Sequence, residues 1–190
     1  MKRLIAALLL LSATLPLSAQ SLAPGDREIS FWAGGGHSVS GGRSDVGVFN
    51  AGLRYGWVLT GPAGPGFLRG TFEYAVDAIP LYVIFQNGAT YGASFDPLGL
   101  KWNFANAHRV APFIELAGGV LFSNHDVPRF TNDVNFTSQA AFGVHLGERK
   151  WRPTLQVRFV HISNAGLATP NPGVNTVQFQ LGLAHFTHSK

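Results

Sequence analysis

In the stretch "RFVHISNAGLATPNPGVNTVQFQ", residues 158–180, His161 and Ser163 stand two positions apart in an alternating segment, and Asn175 follows beyond a Gly- and Pro-rich turn. Residues i and i+2 of a strand share one face, with Cα atoms about 6.5–7 Å apart, so an imidazole can reach a hydroxyl. Such a pair suits proton-transfer chemistry. The period that puts Trp151, Leu155, Val157 and Phe159 on one face puts His161 and Ser163 there too. On the next segment Asn175 shares parity with Val177, Phe179, Leu181 and Leu183. A short connection makes the two segments neighbours, so the three polar side chains can meet on an apolar face. Polar groups facing lipid are costly. Two readings stand at this point: a cluster with chemistry to perform, or a strand that has left the hydrocarbon and carries ordinary interfacial polar residues.

The elements that would position these residues follow from the same periodicity. In "VFNAGLRYGWVL", Phe49, Ala51, Leu53, Tyr55, Trp57 and Leu59 oppose Asn50, Gly52, Arg54 and Gly56; in "LRGTFEYAVDA", Leu68, Phe72, Tyr74 and Val76 oppose Arg69, Thr71, Glu73 and Asp77. Further on, Ile114, Leu116, Val120 and Phe122 oppose Glu115, and Phe136, Phe142, Val144 and Leu146 oppose Gln139 and His145. With "EISFWAGGG", "YGASFDPLGLKWNF", "WRPTLQVRFVHIS" and "VNTVQFQLGLAHF", about eight such segments alternate with Gly, Pro, Asn and Asp turn clusters. The expected fold is all-β, an eight-stranded antiparallel transmembrane barrel of outer-membrane type. Trp32, Trp57, Trp102, Trp151 and Tyr74 would form aromatic girdles, and Phe186 would stand as the terminal aromatic of such a barrel. The rival is a soluble, lipocalin-like barrel with its apolar face inward. Glycines on the polar face suit a narrow lumen, and the bulky aromatics of the apolar face would overfill it.

Composition agrees: 46% of residues are hydrophobic and 13% charged. Residues 1–19, "MKRLIAALLLLSATLPLSA", have the cationic start, apolar run and small-residue end of a secretory signal peptide. That leaves residues 20–190 as a single barrel domain. Removing Lys2 and Arg3 lowers the formal charge from +4 to +2, a balance compatible with phosphorylated lipids. There is no basic run, so nucleic acid is not an expected partner. Cysteine is absent, which excludes disulfides, a thiol nucleophile and a lipobox. The remaining histidines show no metal-ligand spacing with carboxylates, and no cofactor or metal is expected. "GGGHSVSGGRSD" is followed by no helix pattern to receive a phosphate and reads as a hairpin loop, and "PLYVIF" within residues 78–92 reads as strand extension.

"HISNAGLATPNPG" resembles the His-x-Ser-Asn-Ala signature of the PagL family, the outer-membrane lipid A 3-O-deacylases, in His161, Ser163, Asn164, Ala165 and the later Asn171. The motif-level likeness spans roughly residues 159–178; over the rest of the mature chain it is one of architecture. The resemblance implies an eight-stranded barrel with its active site on the outer wall, and a carboxylic ester hydrolase that removes a 3-O-linked acyl chain from lipid A of lipopolysaccharide. It implies Ser163 as nucleophile, His161 as general base and acid, and Asn171 with the backbone amides near Ala165 and Gly166 as oxyanion donors. Asn164 would orient the loop. At position 175 the chain departs from the family pattern, which has a glutamate to orient the histidine. An amide oxygen can accept from the imidazole Nδ1–H but carries no charge to stabilise an imidazolium. No acid in the motif replaces it: Glu148 falls on the preceding turn and Glu115 projects inward.

The implied setting is the bacterial outer membrane, with lipid A as substrate and outer-membrane lipids as surroundings; a homodimer that shields the polar patch stays open. Two other classes compete: a non-catalytic structural or adhesive barrel, and another acyl-chain enzyme such as an acyltransferase or phospholipase. Products separate the last from a deacylase, because transfer yields a heavier lipid and phospholipase action spares lipid A.

Overall fold

The computed structural model describes residues 22–105 and 109–187. The expected signal peptide, residues 1–19, and His108 and His188 lie outside the described residues. Eight strands follow one another in order: β1 (Arg27–Ser38), β2 (Gly47–Val58), β3 (Gly70–Phe85), β4 (Ala89–Phe104), β5 (Val110–Ser123), β6 (Val134–Leu146), β7 (Trp151–Ser163) and β8 (Val174–Thr187). Each pairs antiparallel with the next, and β8 closes on β1, giving a closed barrel. No helix among the described residues is long and apolar enough to cross a membrane, a statement that does not concern strands.

The distribution of polarity decides between a lipid-facing and a soluble barrel. Outward residues are large and apolar: Leu116 is 60% exposed, Phe179 67% and Leu181 68%. Inward residues include buried charges, Glu28, Arg54, Glu73, Asp77, Lys101 and Glu115 among them. A water-soluble barrel has the reverse arrangement, whereas hydrocarbon outside and paired polar groups inside is that of a transmembrane barrel. The lumen is filled rather than open. Arg54 donates from Nε and Nη2 to Asp77 at 2.9 and 2.8 Å and from both Nη atoms to Glu115 at 2.6 and 2.5 Å. Lys101 donates to Glu28, with Glu73 at 3.5 Å. Arg158 donates to Gln178, Gln139 and Asn50 at 2.9–3.1 Å and lies 4.6 Å over the Trp32 ring. There is no room here for more side chain: a Cβ on Gly143 would stand 2.2 Å from the Phe113 ring, and one on Gly56 2.1 Å from Glu73.

One aromatic expectation, Trp32 in a girdle, is corrected by this packing. Trp32 lies in the lumen beneath Arg158, because it shares strand parity with Glu28 and Ser30. Phe186, near the end of β8, is inward and fully buried, clustered with Leu22, Val58 and Ala184. Trp57, Tyr74, Trp102 and Trp151 occupy the rim where β1 begins and β8 ends; Trp57 stacks on Tyr74 at 5.8 Å. "GGGHS" belongs to β1, and the loop proper is residues 39–46. Residues 78–92 are strand extension as expected, turning at 86–88 between β3 and β4.

Beneath the opposite rim, a plug including Val46, Val48, Ile84, Val160, Ile162 and Val174 closes the lumen. Three of its members alternate with the polar cluster: Val160 and Ile162 flank His161, and Val174 precedes Asn175. Burying them anchors the ends of β7 and β8 and holds the intervening side chains on the outer face.

Candidate active site

His161, Ser163 and Asn175 meet at the outer wall, at the loop-bearing end of the β7–β8 pair. All three are half-buried, on the parity of Val157, Phe159 and Phe179. His161 lies directly across the ladder from Asn175, and Phe136 of β6 lies across from Ser163. The imidazole Nδ1 is 2.7 Å from Asn175 Oδ1 and Nε2 is 3.0 Å from Ser163 Oγ. An amide oxygen only accepts, so Nδ1 carries the proton and Nε2 presents its lone pair to the serine hydroxyl. That is the tautomer a general base needs. The far end of the Asn175 amide is also engaged: Nδ2 donates to Ser40 O at 3.2 Å.

The loop between β7 and β8, residues 164–173, is organised by Asn164, a residue only 1% exposed. Its Oδ1 accepts from Gly166 N at 2.9 Å, its Nδ2 donates to Ala168 O at 3.2 Å, and its backbone N–H donates to Asn171 Oδ1 at 3.2 Å. Asn171 therefore has its oxygen turned toward the loop backbone, and no described residue takes its Nδ2. Ala165 adopts φ 52, and no described residue takes its amide. The Gly166 amide is held by Asn164, so of the donors expected from the sequence Asn171 Nδ2 and the Ala165 amide are the ones without a partner among the described residues. Gly173 closes the loop at φ 66 under the histidine: a Cβ there would approach His161 Cε1 to 2.9 Å. Both the left-handed backbone and the contact require glycine.

Every residue singled out in the sequence motif lies in this loop or at the adjoining strand ends. What sequence reasoning missed is the loop between β1 and β2, which reaches the site through Ser40 and Gly41; its glycines mark a turn, and nothing local in sequence says that it lands on β8. Glu115 is inward and paired with Arg54, and Glu148 lies on the turn between β6 and β7, so neither adjoins the histidine. Of the other histidines, His145 is inward, 2.8 Å from Thr154 Oγ1, and His185 packs on Trp151. Among the described residues no group of three or more His, Asp or Glu could hold a metal ion.

The outer wall toward the opposite rim continues as an apolar concavity of about 320 Å³, lined by Phe142, Val144, Leu155, Val157, Phe179 and Leu181.

Comparison with known proteins places this architecture. Among curated proteins no sequence matches. The crystal structure described as that of the outer membrane enzyme PagL superposes with a TM-score of 0.60 at 22% identity, covering 80% of this chain and 97% of that one. The crystal structure of Neisserial surface protein A (NspA) superposes at 0.53 and 13% identity, covering 87% of this chain and 99% of that one. At these identities the likeness establishes the fold. The profile of the family described as Lipid A 3-O-deacylase (PagL) matches residues 50–184, a span that begins in β2 and includes His161, Ser163 and Asn175, and the chain belongs to that family.

Proposed function

We propose that this protein is an outer-membrane ester hydrolase that removes a 3-O-linked acyl chain from lipid A by a Ser163–His161–Asn175 mechanism at the outer wall of the barrel. The observation that carries the reading is the continuous hydrogen-bonded line from Asn175 Oδ1 through His161 to Ser163 Oγ, at 2.7 and 3.0 Å, on a face that meets lipid. A hydroxyl there can attack an ester without the substrate leaving the membrane. Family membership supplies the substrate class.

In the proposed reaction, Ser163 Oγ attacks the ester carbonyl as its proton passes to His161 Nε2. The tetrahedral oxyanion is met by Asn171 Nδ2 and the Ala165 amide; one such donor is worth about 2.7–4 kcal/mol when aligned with the developing charge. Collapse expels the sugar 3-hydroxyl, which takes the proton back from Nε2. Water, deprotonated by the same nitrogen, then releases the fatty acid from Ser163. The acyl chain would lie against the apolar outer wall, and Asn171, Ala165, Gly166 and Asn164 would act through the loop that positions the carbonyl. Asn175 fixes the tautomer but adds no negative charge beside the imidazolium, so turnover should be slow compared with a carboxylate triad.

Residence in the outer membrane is part of the proposal: it follows from the apolar outer surface, with residues 1–19 acting as an export signal removed in the mature chain. The mechanism is tested by labelling the detergent-folded protein with an alkyl fluorophosphonate and measuring its intact mass. One adduct on the wild type, none on Ser163→Ala and a strongly slowed reaction on His161→Ala are expected; equal labelling of Ser163→Ala would exclude Ser163 as the nucleophile.

A further inference from the structure

An amide in the place of a carboxylate creates an ambiguity that a carboxylate lacks. Its two ends are nearly isosteric, and only one is an acceptor. Turned the wrong way, Asn175 would point an N–H₂ at His161 Nδ1 and favour the tautomer that puts a proton on Nε2, facing the serine. In a serine protease the wrong tautomer costs about 10⁴-fold.

The loop between β1 and β2 removes the ambiguity. Asn175 Nδ2 donates to Ser40 O at 3.2 Å while Oδ1 faces His161 at 2.7 Å. The flipped amide would set its oxygen against the Ser40 carbonyl oxygen, acceptor against acceptor. Nor is Ser40 a free loop tip. Val39 N donates to Asn175 O at 2.8 Å and Arg43 N to Gly173 O at 2.9 Å, so the backbone on either side of Ser40 is tied to the residues around the site. Gly41 has φ 100, and a Cβ on it would stand 2.8 Å from Asn175 Nδ2; a Cβ on Gly42 would stand 2.8 Å from Gly173 O. At Gly41 and Gly42 this segment fits against residues 173–175 with no space for a side chain.

We infer that the backbone carbonyl of Ser40, held by the Val39–Arg43 segment, is the positioning group of this active site: it selects the Asn175 amide orientation and thereby the base-competent tautomer of His161. The inference rests on the proposed Ser163–His161 mechanism. It also has a converse. A carboxylate at position 175 would turn its second oxygen onto Ser40 O, so this loop and an acid at 175 are mutually unfavourable.

The test is a cycle of Gly41→Ala and Asn175→Asp, singly and combined, assayed for lipid A deacylation in detergent after gel-shift confirmation of the folded barrel. Gly41→Ala must displace the turn, and it should lower kcat at least tenfold with KM unchanged. Asn175→Asp alone should not exceed the wild type. In the Asn175→Asp background Gly41→Ala should raise kcat, because it relieves the clash of acceptors and a carboxylate needs no choice of orientation. A fall by the same factor in both backgrounds would show a merely structural loop, and a gain of a hundredfold or more from Asn175→Asp alone would equally overturn the inference. An independent reading needs no turnover: ¹⁵N spectra of histidine-labelled protein, with the His161 signals assigned by their loss in His161→Gln. The wild type should show a single Nδ1-protonated tautomer and Gly41→Ala a mixture; an unchanged tautomer in Gly41→Ala overturns the inference. Absence of deacylation by the folded wild type would count against the proposed function, while the tautomer spectra would still judge the role of Ser40.

Discussion

An imidazole between a hydroxyl and an amide oxygen, at 3.0 and 2.7 Å, is competent for proton transfer only while the ring, the amide and the carbonyl-binding loop keep their orientation. Individual residues perform that task here. Gly173 leaves space beneath the ring, and Asn164 ties three backbone groups of the loop, those of Gly166, Ala168 and its own amide through Asn171. Replacing Asn164 with Ala leaves the Gly166 amide and the Ala168 carbonyl, on an exposed and a half-buried residue, to water, so the loop loses its order at little cost in stability. The loop is local and the barrel ladder does not depend on it. Asn164→Ala should therefore lower kcat by roughly 10–100-fold, the scale of misplacing an oxyanion donor, while the urea midpoint of the barrel shifts little. Parallel kinetics and unfolding check this, and a large fall in the unfolding midpoint with unchanged kcat would assign Asn164 to the scaffold instead.

At the scale of the strand, β8 carries Asn175 at one end and Phe179 and Leu181 along its exposed middle. Leu181→Arg places a charge on the lipid face and should destabilise the barrel by about 2–4 kcal/mol near the bilayer midplane, measured by equilibrium folding into liposomes; a water-facing position would tolerate it. The two-residue period made this face legible from sequence, and with it the outward placement of His161, Ser163 and Asn175. Periodicity also assigned Glu115 and His145 inward, where they are found buried. It could have placed Trp32 correctly, since Glu28 and Ser30 share its parity, but residue type suggested a girdle and the cation–π contact with Arg158 was invisible. For Phe186 parity alone, opposite to that of Phe179 and Leu181, indicates the lumen, where it packs with Leu22 and Val58. The Ser40 contact could not be read at all. It joins residues 135 positions apart, through a backbone carbonyl that carries no residue signature.

The described residues combine a closed ladder, a lumen filled by ion pairs and an apolar plug, and the His161–Ser163–Asn175 cluster on a largely apolar outer wall. In the proposed reaction the chemistry takes place at the outer surface, where a lipid substrate would arrive by lateral diffusion and keep its acyl chains in hydrocarbon. That arrangement suits an enzyme of lipid A better than a purely structural barrel, for which an ordered Ser–His–Asn line facing lipid has no use. The most direct measurement is mass spectrometry of lipid A after incubation with the folded protein in detergent, beside Ser163→Ala and with phospholipid as a second substrate. Loss of the mass of one 3-hydroxyacyl chain from lipid A, reduced by roughly 10⁴–10⁶-fold in the variant, with phospholipid intact, is the expected result. Unchanged lipid A from a demonstrably folded wild-type barrel, or equal deacylation by Ser163→Ala, would contradict it.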